Sequence, residues 1–263
     1  MFRLEKFYSP EFNPQQYWDD RYAQEHVAGK DADEFKQQDI WPLLEKHLEK
    51  GKRYLDARCG IGGWTIFLND QGFTADGIDT YARTVRALTE YNPDLHVKVA
   101  DVTRIPFADN TFDGVLAIGA LEYVENRVPD ALKELARVTK PGGWVLIEVP
   151  VINSLRRWIY LPLKRLEQNW KKQRGKKPTF ANYVFDRTEL RELLKDAGFV
   201  VAEEQPHEVP GAGNHYGLYT NFPFLRGSEP YRLNLLGRLV KAISNAISPW
   251  IASTGVIVVA RKS

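Results

Sequence analysis

A single cysteine, Cys59, stands in the 263-residue chain. That excludes an intrachain disulfide and any metal site built from several cysteines. Charge of one sign is lacking too, since Lys and Arg exceed Asp and Glu by only two. So small an excess does not make the whole surface a nucleic-acid binder. Nowhere do eighteen uninterrupted apolar residues occur, and the opening MFRLEKFYSPEF holds no apolar run of signal-peptide length. Neither a membrane span nor a leader is expected. Internal repeats and low-complexity segments are missing as well. The expectation is a soluble, cytoplasmic protein with no metal.

What is present is an ordinary globular composition, 43% hydrophobic and 27% charged. The chain is long enough for one large domain with a sizeable core. Aromatic residues reach 12%, with seven Trp, which suits a ligand pocket or an interfacial surface as well as a core.

Up to about Lys50, QQYWDDRYAQE and DEFKQQDIWPLLEKHLEK space their apolar residues helically, which predicts a helical N-terminal cap over residues 1–50. Beyond it short apolar strands alternate with helices. RYLDA, FTADGID, LHVKVAD, FDGVLAIG and WVLIEVP read as strands, the last entered through a PGG turn. GGWTIFLNDQ, YARTVRALTEYN and VPDALKELARVT read as helices, with Gly72 closing the first and Pro129 in the first turn of the third. DRTELRELLKDAG adds a helix capped by Asp186 and Gly198, followed by the strand FVVAEEQ, and TGVIVVARK ends the chain as a strand. Such alternation predicts an α/β fold: a Rossmann-like doubly wound sheet, mostly parallel with an antiparallel last strand, and helices on both faces. The core is expected over residues 51–150, completed by 186–204 and 254–263. Residues 151–185 and 205–253 are expected to be insertions forming a lid over a substrate, the second of them irregular.

Open sheets of this kind bind ligands beyond the carboxyl ends of their strands. Asp56, Asp79, Asp101 and Gly119 fall at those ends.

The run LDARCGIGGWT, then GID, then VADVTRIPFADNTFDGVLAIGALEYV, then LARVTKPGGWVLIEVP resembles the class I S-adenosylmethionine-dependent methyltransferases, most of all their small-molecule subgroup. It covers residues 50–150 closely and DRTELRELLKDAGFVV more loosely. The order and spacing of four motifs carry the resemblance, since a glycine turn after a strand, or an acid some twenty residues later, also fits nicotinamide enzymes. Asp101 and the Pro106–Asp113 run set the two apart. The resemblance implies S-adenosylmethionine as cofactor and S-adenosylhomocysteine as product. It also implies site residues. Gly60 and Gly62, with Asp56 and Cys59 in the same turn, bring backbone N–H groups to the methionine part. Asp79, with Thr80 beside it, accepts from the ribose hydroxyls, and Asp101 with Val102 reads the adenine. Ile118 and Gly119 present backbone to the cofactor's amino group. Tyr17 lies on a preamble that closes over the cofactor, and Leu121–Glu122–Tyr123 begin the wall facing the substrate.

One position departs from the family's acid-x-G-x-G-x-G pattern: Arg58 stands where the first glycine belongs. A positive φ there would strain an arginine by roughly 1 kcal/mol or more. Three placements are open. Arg58 anchors the cofactor's carboxylate, or it fills the pocket and weakens binding, or it turns outward to an acid such as Glu122 or Glu25.

Methyl transfer is an in-line displacement that needs alignment, plus a base where the acceptor is a hydroxyl. His26, His207 and His215 are the candidate bases. His215, in GAGNHYG, and Tyr123 are the residues singled out for the chemistry, a surface position being the plain alternative for His215. His47 and His96 read as structural. Residues 151–180 hold nine Lys or Arg against Glu167 alone, interleaved with Trp158, Tyr160 and Trp170. For the stretch 156–177 a solvated helix face, a membrane interface, an anionic substrate group and RNA stay open. The expected activity is methylation of an oxygen, nitrogen or carbon on a small molecule, sugars and lipid-linked acceptors included. A member of the fold that has lost its cofactor, and an RNA or protein methyltransferase docking through the basic segment, are the alternatives.

Overall fold

The chain alternates β-strands and α-helices after residue 50, and the computed structural model turns that alternation into one seven-stranded sheet. The structure describes residues 5–9, 32–163, 179–207, 218–219, 222–229 and 232–263. The strands in chain order are β1 (Glu5–Ser9), β2 (Arg53–Asp56), β3 (Thr74–Asp79), β4 (Val97–Val99) and β5 (Phe112–Ile118). β6 (Thr139–Pro150), β7 (Thr179–Val184), β8 (Phe199–His207) and β9 (Gly255–Lys262) follow. The helices are α1 (Ala32–Lys36), α2 (Trp41–Leu44), α3 (Gly63–Asp70), α4 (Ala82–Tyr91), α5 (Val128–Val138), α6 (Arg187–Asp196) and α7 (Leu235–Ile247).

The main sheet has the order β4-β3-β2-β5-β6-β9-β8. β2 to β6 pair in parallel, and β9 runs antiparallel to both its neighbours. Its central strands are buried on both faces, as a parallel sheet covered by helices requires. Successive residues serve opposite layers. Leu55, Val115, Ile147 and Val258 meet Leu132, Leu135, Leu190 and Leu194 on one side. Tyr54, Leu116, Leu146 and Ile257 meet Trp41, Trp64 and Phe67 on the other. α6 begins as its sequence predicts, the Asp186 carboxylate accepting from the amides of Thr188 and Glu189.

Four local features differ from the expectations. The run 33–50 is not one helix but α1, α2 and a 3-10 turn, Glu45–His47. Pro42 sits in the first turn of α2, where its missing N–H costs nothing, and it would have broken a helix passing through. Residues 5–9 of the expected helical cap form β1, paired antiparallel with β7 in a separate two-stranded ribbon. The PGG turn does not precede a strand but lies within β6. Thr139 opposes Phe112 and Trp144 opposes Gly114, so the ladder skips the glycines between. Finally, residues 235–247 are helical, their first turn capped by Asn234, whose Oδ1 accepts from the Gly237 amide at 2.8 Å.

The two segments expected to be insertions begin and end at the carboxyl edge of the sheet. Val151 bridges Phe185 at the ends of the first, and His207 faces Gly255 at the ends of the second. The Asn153 side chain donates to the carbonyls of Ala252 and Ser253, tying the two together.

Candidate functional site

A cavity of about 200 Å³ opens at the carboxyl ends of β2, β3 and β4. Ala57 and Arg58 supply one side, Asp79–Thr80–Tyr81 and Ala100–Asp101–Val102 the next two, and Ala120 and Tyr123 the wall after β5. Phe180 and Ala181 of β7 close over it. β7 is itself held by Tyr183, whose hydroxyl accepts from the Asn126 amide at 2.8 Å.

Asp79 and Asp101 organise this edge. One Asp79 oxygen accepts from the Gly60 amide at 3.0 Å and the other from the Tyr81 amide at 2.9 Å. The positive φ of Gly60, 51°, turns its N–H toward the carboxylate. Each carboxylate oxygen keeps capacity for a second donor. Asp101 Oδ1 accepts from the amide and hydroxyl of Thr103 at 2.7 and 2.5 Å, leaving Oδ2 outside these bonds. Asp56 does not line the cavity. It lies buried behind the turn, where Thr65 Oγ1 donates to it at 3.0 Å. Burial pushes its pKa up to about 7, while hydrogen bonds from Thr65 and the Arg58 amide oppose the rise.

Arg58 lines the cavity with a negative φ, because outside glycine only Asn110 and Asn126 have positive φ among the described residues. The backbone strain that an arginine in a glycine's conformation would bring is therefore absent. Its Nη1 donates to the Gly119 carbonyl at 2.8 Å, and its guanidinium lies 4.2 Å from the Tyr123 ring centroid, a cation–π distance. Of the acids expected as its partners, Glu122 is near enough for the Arg58 charge to lower its pKa, and Glu25 lies outside the described residues.

A line of buried ionisable groups continues from there. Glu122, Glu148 and His207 are 6%, 4% and 4% exposed. Burial raises the Glu122 pKa to about 7, opposed by the charge of Arg58. Burial, then the charge of Glu122, raises Glu148 to about 8. His207 Nε2 stands 4.0 Å from Glu148 and its Nδ1 3.5 Å from Asp39, and burial lowers its pKa. Among the described residues, His207 Nε2, Glu122 Oε2 and Glu148 Oε1 lack a hydrogen-bond partner.

Other expected site residues lie elsewhere. The Cys59 side chain is buried among Leu88 and Leu95, against Gly77, where an added Cβ would lie 3.0 Å from its sulfur. Gly62, at φ 86°, caps α3, and Ile118 precedes Gly119 at the end of β5 without lining the cavity. His47 pairs with Glu203 at 3.1 Å, and His96 stands 3.6 Å from Asp76. Tyr17, His26 and His215 lie outside the described residues, as do 164–177 of the basic stretch. Tyr81, Phe180 and Ala181 line the cavity without having been singled out in the sequence. Tyr81 could have been found as the neighbour of Thr80. Nothing local marks Phe180.

Residues 24–204 match the methyltransferase domain family. The chain belongs to that family. The methyltransferase uses S-adenosylmethionine as its cofactor. It is similar to the demethylmenaquinone methyltransferase of Geobacillus stearothermophilus, 30% identical over 200 residues, 66% of this chain and 82% of that one. A tRNA (carboxymethyluridine(34)-5-O)-methyltransferase from Arabidopsis thaliana is 33% identical over 138 residues, 49% of this chain and 33% of that one. Among solved structures, an S-adenosylmethionine-dependent methyltransferase from Methanosarcina mazei superposes with a TM-score of 0.60 at 18% identity, covering 85% of this chain and 98% of that one. That likeness speaks for the fold. No helix among the described residues is long and apolar enough to cross a membrane.

Proposed function

We propose that the methyltransferase binds S-adenosylmethionine in the cavity at the ends of β2, β3 and β4 and methylates an oxygen, nitrogen or carbon of a small molecule. The observation that carries the site assignment is the pair Asp79 and Asp101, on adjacent strand ends facing one cavity, with Asp101 Oδ2 left outside its turn's hydrogen bonds. Asp79 would accept from the ribose hydroxyls, Asp101 from the adenine amino group, with Val102 and Tyr81 against the base. Gly60 gives close backbone approach, while Asp56 and Cys59 hold the turn from behind. Gly119 would accept from the cofactor's amino group when Arg58 releases its carbonyl, and Arg58 would then pair with the cofactor's carboxylate. The bound cofactor supplies an electrophilic methyl group on a positive sulfonium.

Tyr123 shapes the acceptor side of the cavity. A hydroxyl or amine acceptor must lose a proton, and His215, which lies outside the described residues, is the base proposed for that step; His207 and Glu148 do not line the cavity. The similarity to demethylmenaquinone methyltransferases makes a demethylmenaquinone the first acceptor to test. An RNA acceptor is disfavoured, because the tRNA methyltransferase is matched over only a third of its length and the net charge is +2. Transfer of labelled methyl to a demethylmenaquinone or to a panel of phenols, amines and sugars tests the reading. Labelled RNA with no labelled small molecule would overturn it.

A further inference from the structure

Helix α7 is turned inside out. At about 100° per residue, Leu235, Leu236, Leu239, Ile243 and Ile247 fall within one arc of about 120°. All five are exposed, Leu235 by 77% and Ile247 by 71%. The opposite face is what packs. Gly237 and Ser244 are buried, and a Cβ on Gly237 would lie 2.7 Å from the Leu225 carbonyl oxygen. Val240 rests on a small cluster of Leu218, Phe222, Leu225, Leu233 and Ala252. A surface helix in a monomer normally buries its apolar stripe, and a contiguous exposed one marks an interaction site.

The surroundings say what kind. Leu155 and Tyr160 pack on the same cluster, bringing the 156–163 segment alongside, with Trp158 76% and Leu163 62% exposed. Helix α7 itself carries Arg238 and Lys241 and no Asp or Glu, while Arg232 before it pairs with Glu229 at 2.8 Å. An apolar stripe on a helix whose charges, Arg238 and Lys241, are all positive, with an exposed Trp nearby, matches the interface of an anionic bilayer, which takes the apolar face among its acyl chains and the cations among its headgroups. A second copy fits less well, because self-association would bring the same cationic margins together.

We propose that α7, with the Trp158–Leu163 segment, docks the methyltransferase onto an anionic lipid surface. The proposal does not depend on the acceptor's identity. Sedimentation of the full chain with vesicles of phosphatidylglycerol and phosphatidylcholine in equal parts, and with phosphatidylcholine alone, tests it. The wild type is expected to sediment with the mixed vesicles and far less with the neutral ones. Leu239→Glu/Ile243→Glu, at two exposed positions, is expected to lower that binding at least about tenfold while S-adenosylhomocysteine affinity is unchanged. Arg238→Glu, which leaves the stripe intact, is expected to weaken only the binding to anionic vesicles, and it decides the matter should the double variant fail to fold. Equal binding of wild type to neutral and anionic vesicles overturns the proposal, as does no binding to either. So does a lipid-free dimer that the double variant converts to monomer, which would assign the face to a second copy.

Discussion

Arg58 Nη1 donates to the carbonyl oxygen of Gly119 across 2.8 Å, joining the turn after β2 to the end of β5 at the point where the cavity wall begins. The guanidinium thereby occupies the backbone acceptor proposed for the cofactor's amino group, while its charge stands ready for the cofactor's carboxylate.

Replacing this arginine separates anchor from plug. Arg58→Gly is expected to weaken S-adenosylhomocysteine binding by about tenfold or more, the worth of a charge-assisted hydrogen bond. Binding of 5′-methylthioadenosine, which has no carboxylate, should be unchanged. Calorimetry with both ligands reads the difference. Tighter binding of both by the variant would show that Arg58 blocks the cavity.

Glu122 and Glu148 make folding stability depend on pH. Their pKa values of about 7 and about 8 lie above those of an unfolded chain, so the folded state holds protons the unfolded state has released. Their stabilising contribution is complete below about pH 4 and is lost as pH rises through the folded values. His207, whose pKa is lowered, works in the opposite sense below about pH 6.5, so the clean window lies above that. Between about pH 6.5 and 8, urea unfolding should show stability falling, by about 2 kcal/mol through Glu148 and by about 1 kcal/mol each through Glu122 and Asp56, whose pKa is likewise raised to about 7. Glu148→Gln should flatten the fall. An equal slope in the variant would place the proton elsewhere.

Gly114 is fixed by Trp144. A Cβ at Gly114 would lie 2.3 Å from the indole ring, and Trp144 itself is buried against Tyr54 and His47, with Nε1 donating to the His47 carbonyl. Gly114→Ala is expected to cost about 1–3 kcal/mol, as overpacking does. Gly142→Ala, where nothing lies within 4 Å of the added Cβ, pays only the strain of its positive φ. Denaturant midpoints compare the two, and a larger loss at Gly142 would contradict this packing account.

The alternation after residue 50 was legible because strand and helix periods switch at glycines and acids whose conformational roles are local. Asp79 and Asp101 could be placed for the same reason, each closing a short strand. Pairings between distant residues have no such local mark. β1 and β7 meet across most of the chain's length, so neither the ribbon nor Phe180's place over the cavity could be read in advance. Glu148 and His207 come together because β9 lies between β6 and β8, an order that periodicity does not encode. Cys59 looked like a site residue by position in the turn, yet its small apolar side chain fits the gap over Gly77. The apolar repeat of α7 is visible in its sequence, but which side faces the protein is shown only by the burial of Gly237 and Ser244.

The central claim is that the Asp79–Asp101 cavity is the cofactor site. Calorimetric titration of the full chain with S-adenosylhomocysteine tests it most directly. One molecule is expected to bind per chain, with Asp79→Asn and Asp101→Ala each weakening it by at least about tenfold and leaving the unfolding midpoint within a few degrees. Undiminished affinity in both variants, or no binding by the wild type and by Arg58→Gly alike, would contradict it.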